Sequence, residues 1–254
     1  MENYNLPEIV AKINKYVRLK QTIVGIKFFE KEEDLKTIER IRMFDKRFSV
    51  CQMFSQSIAF GWTIGIKKDN VFLDYCKTIN GLMEKDERFT SGKMFANYWC
   101  GSEEAAKAHH AALDCVPAKY EAIAVSPLES NKIPNPDVCL IYATPAQIFM
   151  MLSGLIRDDY KRLNFTFMGE STCSDSWVKT FLTGEPGLSI SCFAERKFGG
   201  VSDDEMLITV TPEDLNKIAV GLEGLHKIGL RYPIAAYSLT TDIKDGLPPH
   251  YYDY

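Results

Sequence analysis

The sequence predicts an α/β or α+β fold in which helices pack on a mixed β-sheet. The first observation is a strand, a capped turn and a helix that occur twice, at 140–155 and 207–222. Both copies read Leu-Ile-x-x-Thr-Pro, and Gly-Leu follows at the same later position. The second observation is that β-branched and aromatic runs alternate with helical patterns along the rest of the chain. A true internal duplication and two independent units of one design both fit this pattern.

β-Branched and aromatic runs predict the strands, and charged or proline-rich loops separate them. Two short runs flank a Lys-Lys-Asp-Asn turn, and we expect them to pair as a hairpin. The predicted strands lie at 23–29, 63–66, 71–73, 120–125, 138–142, 163–168, 188–193 and 205–210.

Apolar periodicity and capping residues predict the helices. Thr144 and Thr211 occupy N-cap positions, where a hydroxyl accepts a hydrogen bond from a free helical N–H. Pro145 and Pro212 follow at the first helical position, where the missing donor costs nothing. Each of these two helices should therefore start at its proline. The predicted helices lie at 6–17, 52–60, 102–108, 145–156, 176–182 and 212–227.

Length and composition favour a single globular domain over residues 1–254. The chain has 46% hydrophobic and 25% charged residues, which is typical of a protein with a packed core. Its formal net charge of −4 gives no basic surface, so nucleic acid is not an expected partner. The sequence shows no targeting segment and no apolar run of transmembrane length. We therefore expect a cytoplasmic protein without a membrane partner.

The chain contains seven cysteines and no secretion signal, which argues against a disulfide framework. Four cysteines share one setting, where a strand or loop gives way to a turn or helix. Such positions gather ligand chemistry in α/β folds, and a helix N-terminus lowers the pKa of a thiol. These four are Cys51, Cys76, Cys173 and Cys192. By contrast, Cys139 lies inside an apolar strand, and packing is the expected role of Cys100 and Cys115.

Two aromatic features have weaker functional signals. His109 and His110 lie on the helix predicted after Ser102, and adjacent helical side chains point about 100° apart. They cannot easily face one metal ion together, so we expect neither to be a ligand. The C-terminal tail, 247–254, carries rings that are costly to leave in water. We expect it to pack on the body or on another subunit, which leaves a homo-oligomer open.

Several stretches together carry a family resemblance. The most specific are the Pro-Asp-Val to Pro-Ala-Gln stretch at 136–147 and the Asp-Glu-Met at 204–206, and the ordered cysteines accompany them. On these residues the chain resembles the family named domain of unknown function 169, over nearly its whole length. The resemblance implies a fold and a cysteine pattern more than a reaction. Members of that family often have a Cys-Pro-Gly-Gly-like stretch at the second cysteine, whereas this chain reads Cys-Lys-Thr-Ile-Asn-Gly at 76–81.

The first functional hypothesis is a cysteine-ligated iron–sulfur protein, most simply with a 4Fe-4S cluster on Cys51, Cys76, Cys173 and Cys192. Dispersed thiolates can converge in space, and soft thiolates select iron–sulfur clusters or zinc over hard cations. No Cys-x-x-Cys, nucleotide-binding glycine motif, zincin motif or nucleophile elbow offers a competing signature. The expected chemistry is of redox or lyase type on a small organic substrate, or electron transfer to a partner protein. Thiols that are structural or act alone are the alternative.

Charged residues near these cysteines are candidates for proton transfer or for a carboxylate clamp. If four cysteines ligate a cluster, the expected role is electron transfer or sensing. If three ligate, an open iron can act as a Lewis acid on a substrate oxygen. The candidate catalytic residues are Glu170, Asp175, Glu195 and Arg196.

The second hypothesis is a non-catalytic module that binds an apolar or aromatic small molecule. Five phenylalanine and tryptophan side chains could line its pocket, although such rings are more often part of a core. The presence or absence of iron in protein purified without oxygen separates the two hypotheses. The candidate pocket residues are Phe165, Phe167, Trp177, Phe193 and Phe198.

Overall fold

The computed structural model describes residues 4–236 and 242–246. Within them, six strands form one sheet that has helices on both faces. The strands are β1 Val24–Phe29, β2 Ile64–Lys67, β3 Ala122–Pro127, β4 Val138–Ala143, β5 Gly187–Ser189 and β6 Met206–Val210. The helices are α1 Leu6–Val17, α2 Val50–Phe60, α3 Asp74–Ile79, α4 Glu87–Thr90, α5 Glu103–Ala112, α6 Pro145–Leu155, α7 Lys179–Thr183, α8 Phe193–Gly199 and α9 Pro212–Lys227.

The strands lie in the order β2-β3-β1-β4-β6-β5, and every neighbouring pair is antiparallel. The predicted α/β fold with packed helices is confirmed, but the sheet is antiparallel rather than mixed. A parallel neighbour requires a crossover that returns the chain to the opposite end of the sheet. The segment that joins β4 to β6 instead starts and finishes at the same end.

Alternation along the strands separates two apolar cores. In β4, Leu140 and Tyr142 face the first core, whereas Cys139 and Ile141 face the second. Residues of α2 and α3 cover the first core, and α1, α6 and α9 cover the second. Because both faces are covered, β3 and β4 are buried at every position. This explains why they read as continuous apolar runs in the sequence.

The two repeated strand–helix units pack against each other around a local two-fold axis. Ile141 of β4 lies opposite Ile208 of β6, and these residues are equivalent in the repeat. The helices α6 and α9 approach most closely at Gly154 and Gly221, which are also equivalent. Contacts between equivalent residues are what a two-fold axis produces. The repeat in the sequence therefore corresponds to a symmetric substructure.

The predicted helix starts are confirmed, with a proline at the first position of α6 and of α9. The two threonines act differently. Thr211 Oγ1 accepts a hydrogen bond from the N–H of Asp214 at 3.1 Å, as a capping hydroxyl should. At the other start, Gln147 Oε1 accepts hydrogen bonds from the N–H and the hydroxyl of Thr144. There the glutamine closes the turn, which is half of a capping box.

Two predicted strands need correction. The segment 163–168 is irregular, because β5 occupies the place beside β6 and leaves this segment without a strand partner. The strand predicted at 188–193 is shortened to β5, because Cys192 already serves as the N-cap of α8.

The expected hairpin at 63–73 does not form. Instead, β2 pairs with β3, and Val71 makes an isolated bridge with Phe48. The turn between them is a short 3₁₀ helix, Lys68–Asn70, and its last residue donates its side-chain amide to the carbonyl of Phe44. This turn leads the chain away from a hairpin and into α3.

Two further expectations concern the chain ends and the membrane. The tail at 247–254 lies outside the described residues. Within 4–236 and 242–246, no helix combines the length and the apolar character needed to traverse a bilayer.

We predict that Gly221→Ala lowers the free energy of unfolding by about 2–3 kcal/mol, because overpacking a close helix contact costs that much. A Cβ at this position would clash with the backbone of Gly154. Urea denaturation followed by circular dichroism measures the change as a lower midpoint at constant slope.

Gly224→Ala is the matched control, since Gly224 lies on the same helix. Its added Cβ would meet only the flexible guanidinium of Arg157. We expect little loss, or a gain of up to about 1 kcal/mol from helix propensity. Equal effects of the two substitutions would contradict the assignment of the close contact to Gly221.

Candidate functional site

A pocket of about 670 Å³ opens beside the first core. The first turns of α2 and α3, the start of α8 and the irregular segment at 94–99 surround it. The four cysteines singled out in the sequence all line this pocket, although they come from four separate segments. They are Cys51, Cys76, Cys173 and Cys192.

Three of these cysteines lie at helix starts. Cys51 follows Ser49, the N-cap of α2, whose capping box fixes the first turn. Cys192 is itself the N-cap of α8. Cys173 directly precedes a π-helical turn, Ser174–Val178, that continues into α7. Such turns are frequent at functional sites. The partial positive charge of a helix N-terminus favours thiolates and other anions.

The cysteines meet for a reason different from the one the sequence suggested. Ligand sites gather at the carboxyl ends of parallel strands. In this antiparallel sheet, the carboxyl ends of neighbouring strands instead point in opposite directions. The thiols converge because helices and loops on one face of the sheet start at the same pocket.

The four thiols are close enough to interact electrostatically in all six pairs. In each pair, the charge of one thiolate raises the pKa of the other. Burial is the larger cause, and it raises the pKa of Cys76 to about 12. It also raises the pKa of Cys51, Cys173 and Cys192 above the usual thiol range. The thiols are therefore neutral on their own, and a bound cation would be needed to hold them as thiolates.

The four thiols are not grouped as the ligands of a single ion would be. In the described part of the chain, no three His, Cys, Asp or Glu side chains are grouped so that they could hold a metal ion. The sulfurs around one zinc ion stand about 4 Å apart, because each Zn–S bond is about 2.3 Å. The thiolates of a four-iron cluster each bind a different iron and stand about 6–7 Å apart. Soft thiols of this kind are the ligand type that iron–sulfur clusters and zinc take.

Glu195 is fully buried against two of the cysteines. Its Oε1 accepts a hydrogen bond from the hydroxyl of Tyr142, and its Oε2 has no hydrogen-bond partner among the described residues. Its charge raises the pKa of Cys51 and Cys192, while burial raises the pKa of Glu195 itself. A Cβ on Gly199 would lie 3.5 Å from Glu195 Cγ and 3.6 Å from Cys51 Cβ, so α8 and α2 are in close contact here.

Glu170 lines the pocket directly. Its Oε2 accepts hydrogen bonds from the hydroxyl of Tyr75 at 3.2 Å and from the hydroxyl of Ser171 at 3.0 Å. Burial raises the pKa of Glu170, while these two hydrogen bonds oppose the shift. A carboxyl group in this environment can hold a proton and release it toward the pocket.

Asp175 and Arg196, like Glu195, do not line the pocket. Asp175 accepts a hydrogen bond from the N–H of Met168 at 2.9 Å, and burial raises its pKa to about 6. Arg196 donates to the carbonyls of Ser191 and Ser202, each at 3.0 Å. The structure thus places both side chains where they hold loops together.

Two tyrosines and three cations at or beside the pocket were not predicted from the sequence. The hydroxyl of Tyr75, which lines the pocket, donates to Glu170, and the hydroxyl of Tyr142, which lies outside the lining, donates to Glu195. A tyrosine within the apolar strand at 138–143 was a usable signal for the second. Three cations at the mouth, Arg47, Arg88 and Lys197, had no sequence signal, because they are far apart in the chain. Of the five rings expected in a binding pocket, Trp177, Phe193 and Phe198 line it, whereas Phe165 and Phe167 do not.

Other chemically suggestive residues lie elsewhere. Cys139 faces the second core, on the opposite side of the sheet. His110 is buried, stacks on Phe89 at 4.5 Å and places Nδ1 2.7 Å from the carbonyl oxygen of the same residue. Neither nitrogen of His109 has a hydrogen-bond partner in the described chain, and burial lowers the pKa of this imidazole. Neither histidine lines the pocket.

Comparisons with known proteins identify relatives over most of the chain. The family model described as Uncharacterised ArCR, domain of unknown function 169, matches residues 12–221, a span that contains the sheet and all four cysteines. A protein of Methanocaldococcus jannaschii named "Uncharacterized protein MJ0308" is 21% identical over 236 residues, which cover 90% of this chain and 98% of that protein. No solved structure matches the chain. The chain belongs to the domain of unknown function 169 family.

Proposed function

We propose that this chain is a cysteine-ligated iron–sulfur protein of redox or lyase type that acts on a small organic substrate. The observation that carries the proposal is the convergence of Cys51, Cys76, Cys173 and Cys192. They line one pocket, and they interact in all six pairs. Thiols that only packed the core would have no reason to collect around an open cavity, because each could be buried separately.

A bound cluster supplies an electron store when four thiolates ligate it and a Lewis-acidic iron when three do. The chain supplies the surroundings. Glu170 faces the pocket and can hold a proton near a substrate, with Tyr75 and Ser171 fixing the orientation of its carboxyl group. The aromatic rings at 98–99 add apolar surface to the wall of the cavity.

Glu195 and Tyr142 support the site from behind. Their hydrogen bond links the sheet to α8, beside Cys51 and Cys192. We assign this pair to positioning, because Glu195 is fully buried and does not line the pocket. A carboxyl group held between β4 and α8 fixes the position of α8, and of Cys192 at its start, against the sheet.

A second candidate is a binding module without catalysis, and a specific observation favours it. The pocket has the volume of a small-molecule site, and exposed rings such as Phe193 and Phe198 surround its mouth. Iron separates the candidates, because only the first requires it.

We predict that protein purified and reconstituted without oxygen is brown and holds about four irons per chain. Removal of one ligand thiol, in Cys51→Ala or Cys173→Ala, should reduce the iron content by at least about half, because alanine offers no replacement ligand. Iron and sulfide assays with visible absorbance spectra measure this. Colourless wild-type protein would reject the proposal.

Cys115→Ala is the matched control for these substitutions. This cysteine is half-buried, like Cys51 and Cys173, but it lies outside the pocket. Its removal should leave iron content and spectrum unchanged. A loss of iron in Cys115→Ala equal to that in Cys51→Ala would show that general destabilisation, and not ligand loss, explains the result.

We also predict that iron uptake increases with pH between about 6.5 and about 8.5. Burial and mutual repulsion raise the pKa of the thiols, so the metal-free protein holds them protonated, and each ligand must release a proton on binding. Protons therefore compete with iron at low pH and compete less as the pH rises. Iron bound per chain at fixed iron and sulfide tests this, and uptake that is flat or falls across the interval would contradict it.

A further inference from the structure

We infer that the pocket takes a small organic anion with a planar apolar body, such as an aromatic carboxylate, with the anionic group at the mouth. The inference deepens the proposed function and rests on it, because it names the class of substrate for the same cavity. Three features carry it: cations without counterions, acids that do not cancel them, and an exposed aromatic wall.

The cations are Arg47, Arg88 and Lys197. All three are exposed and line the pocket. No carboxylate lies within ion-pair distance of any of them in the described part of the chain, although many other lysines and arginines of this chain are paired. The chain as a whole carries a formal net charge of −4, whereas the mouth of the pocket is locally positive because of these three unpaired cations. A locally positive mouth attracts anions.

The acids that line the pocket do not cancel this charge. Asp74 already pairs with Lys77, at 3.0 Å between Oδ1 and Nζ. Glu170 is the other acid in the lining, and its Oε2 accepts hydrogen bonds from two hydroxyls, so one carboxylate faces three cations. Positive charge therefore remains in excess at the mouth.

Five aromatic rings at the pocket are unusually open to solvent. Each is at least 45% exposed, and a ligand that covered them would remove a large apolar area from water. Trp99 and Phe193 face each other with ring centroids 6.4 Å apart. Lys197 Nζ lies 5.4 Å from the ring centroid of Phe193, so a cation and an aromatic surface are presented together. The five rings are Phe72, Tyr98, Trp99, Phe193 and Phe198.

The arrangement also sets the orientation of the ligand. The cations are exposed, whereas Cys192 is buried and Cys51, Cys76 and Cys173 are half-buried. The anionic group is therefore held by the exposed cations at the mouth, and the apolar body points inward, toward the thiols. A volume of about 670 Å³ accommodates a body of two or three fused or linked rings.

The test uses two probes that share one body. Anilinonaphthalene sulfonate carries an anionic group, and N-phenylnaphthylamine lacks it. We expect the wild-type protein to bind the sulfonate more tightly.

Arg47→Gln and Arg88→Gln should each weaken the binding of the sulfonate about two- to fivefold, in the range of a partly exposed ion pair, and leave the affinity for the neutral probe unchanged. Trp99→Ala should weaken both probes. Isothermal titration calorimetry at low salt measures the affinities, because a coloured protein would quench fluorescence.

Arg162→Gln is the matched control, since Arg162 is exposed, has no ion pair in the described chain and lies outside the pocket. It should bind both probes like the wild type. If Trp99→Ala fails to fold, Phe72→Ala replaces it. Equal affinity for the two probes, or arginine variants that behave like Arg162→Gln, would overturn the assignment of an anionic ligand. The iron content of the same preparations reports on the proposed function separately, because these arginines are not ligands.

Discussion

The convergence of four thiols on one cavity is the constraint on which the rest of the site depends. Each thiolate raises the pKa of its neighbours, and burial raises it further, so the group is stable only when it is protonated or when it holds a cation. The surrounding elements hold the thiols in this arrangement. Helix starts bring Cys51, Cys173 and Cys192 to the cavity with favourable backbone dipoles. The hydrogen bond between Tyr142 and Glu195 joins the sheet to the helix that follows the last cysteine.

The two faces of the sheet carry different structures. On one face, α6 and α9 pack closely at Gly154 and Gly221 and form a symmetric substructure. On the other face, helix starts and irregular segments surround the pocket. Because side chains alternate along β4, Tyr142 lies on the pocket side and Cys139 on the side of α6 and α9. Site residues on such an antiparallel scaffold come from helix starts rather than from strand ends.

Local signals in the sequence predicted most of the fold. Proline at the first position of α6 and α9 and the glycine after α2 mark boundaries that need no tertiary information. The strand predicted at 163–168 was wrong. Apolar and polar residues alternate there as in a strand, but a strand also needs a neighbour in the sheet, and β5 occupies the place beside β6. The four cysteines could be chosen from their positions at element boundaries. The cations at the mouth could not, because only the folded chain brings Arg47, Arg88 and Lys197 together.

We propose above that the four thiols bind iron together. Crystals grown without oxygen and measured on both sides of the iron absorption edge test this most directly. We expect a strong anomalous peak in the pocket, within bonding distance of the sulfurs of Cys51, Cys76, Cys173 and Cys192 or of three of them, with Cys139 far from it. No anomalous peak in the pocket, with the four sulfurs spread beyond about 10 Å as free thiols, would contradict it, because cluster ligands cannot be so widely spaced.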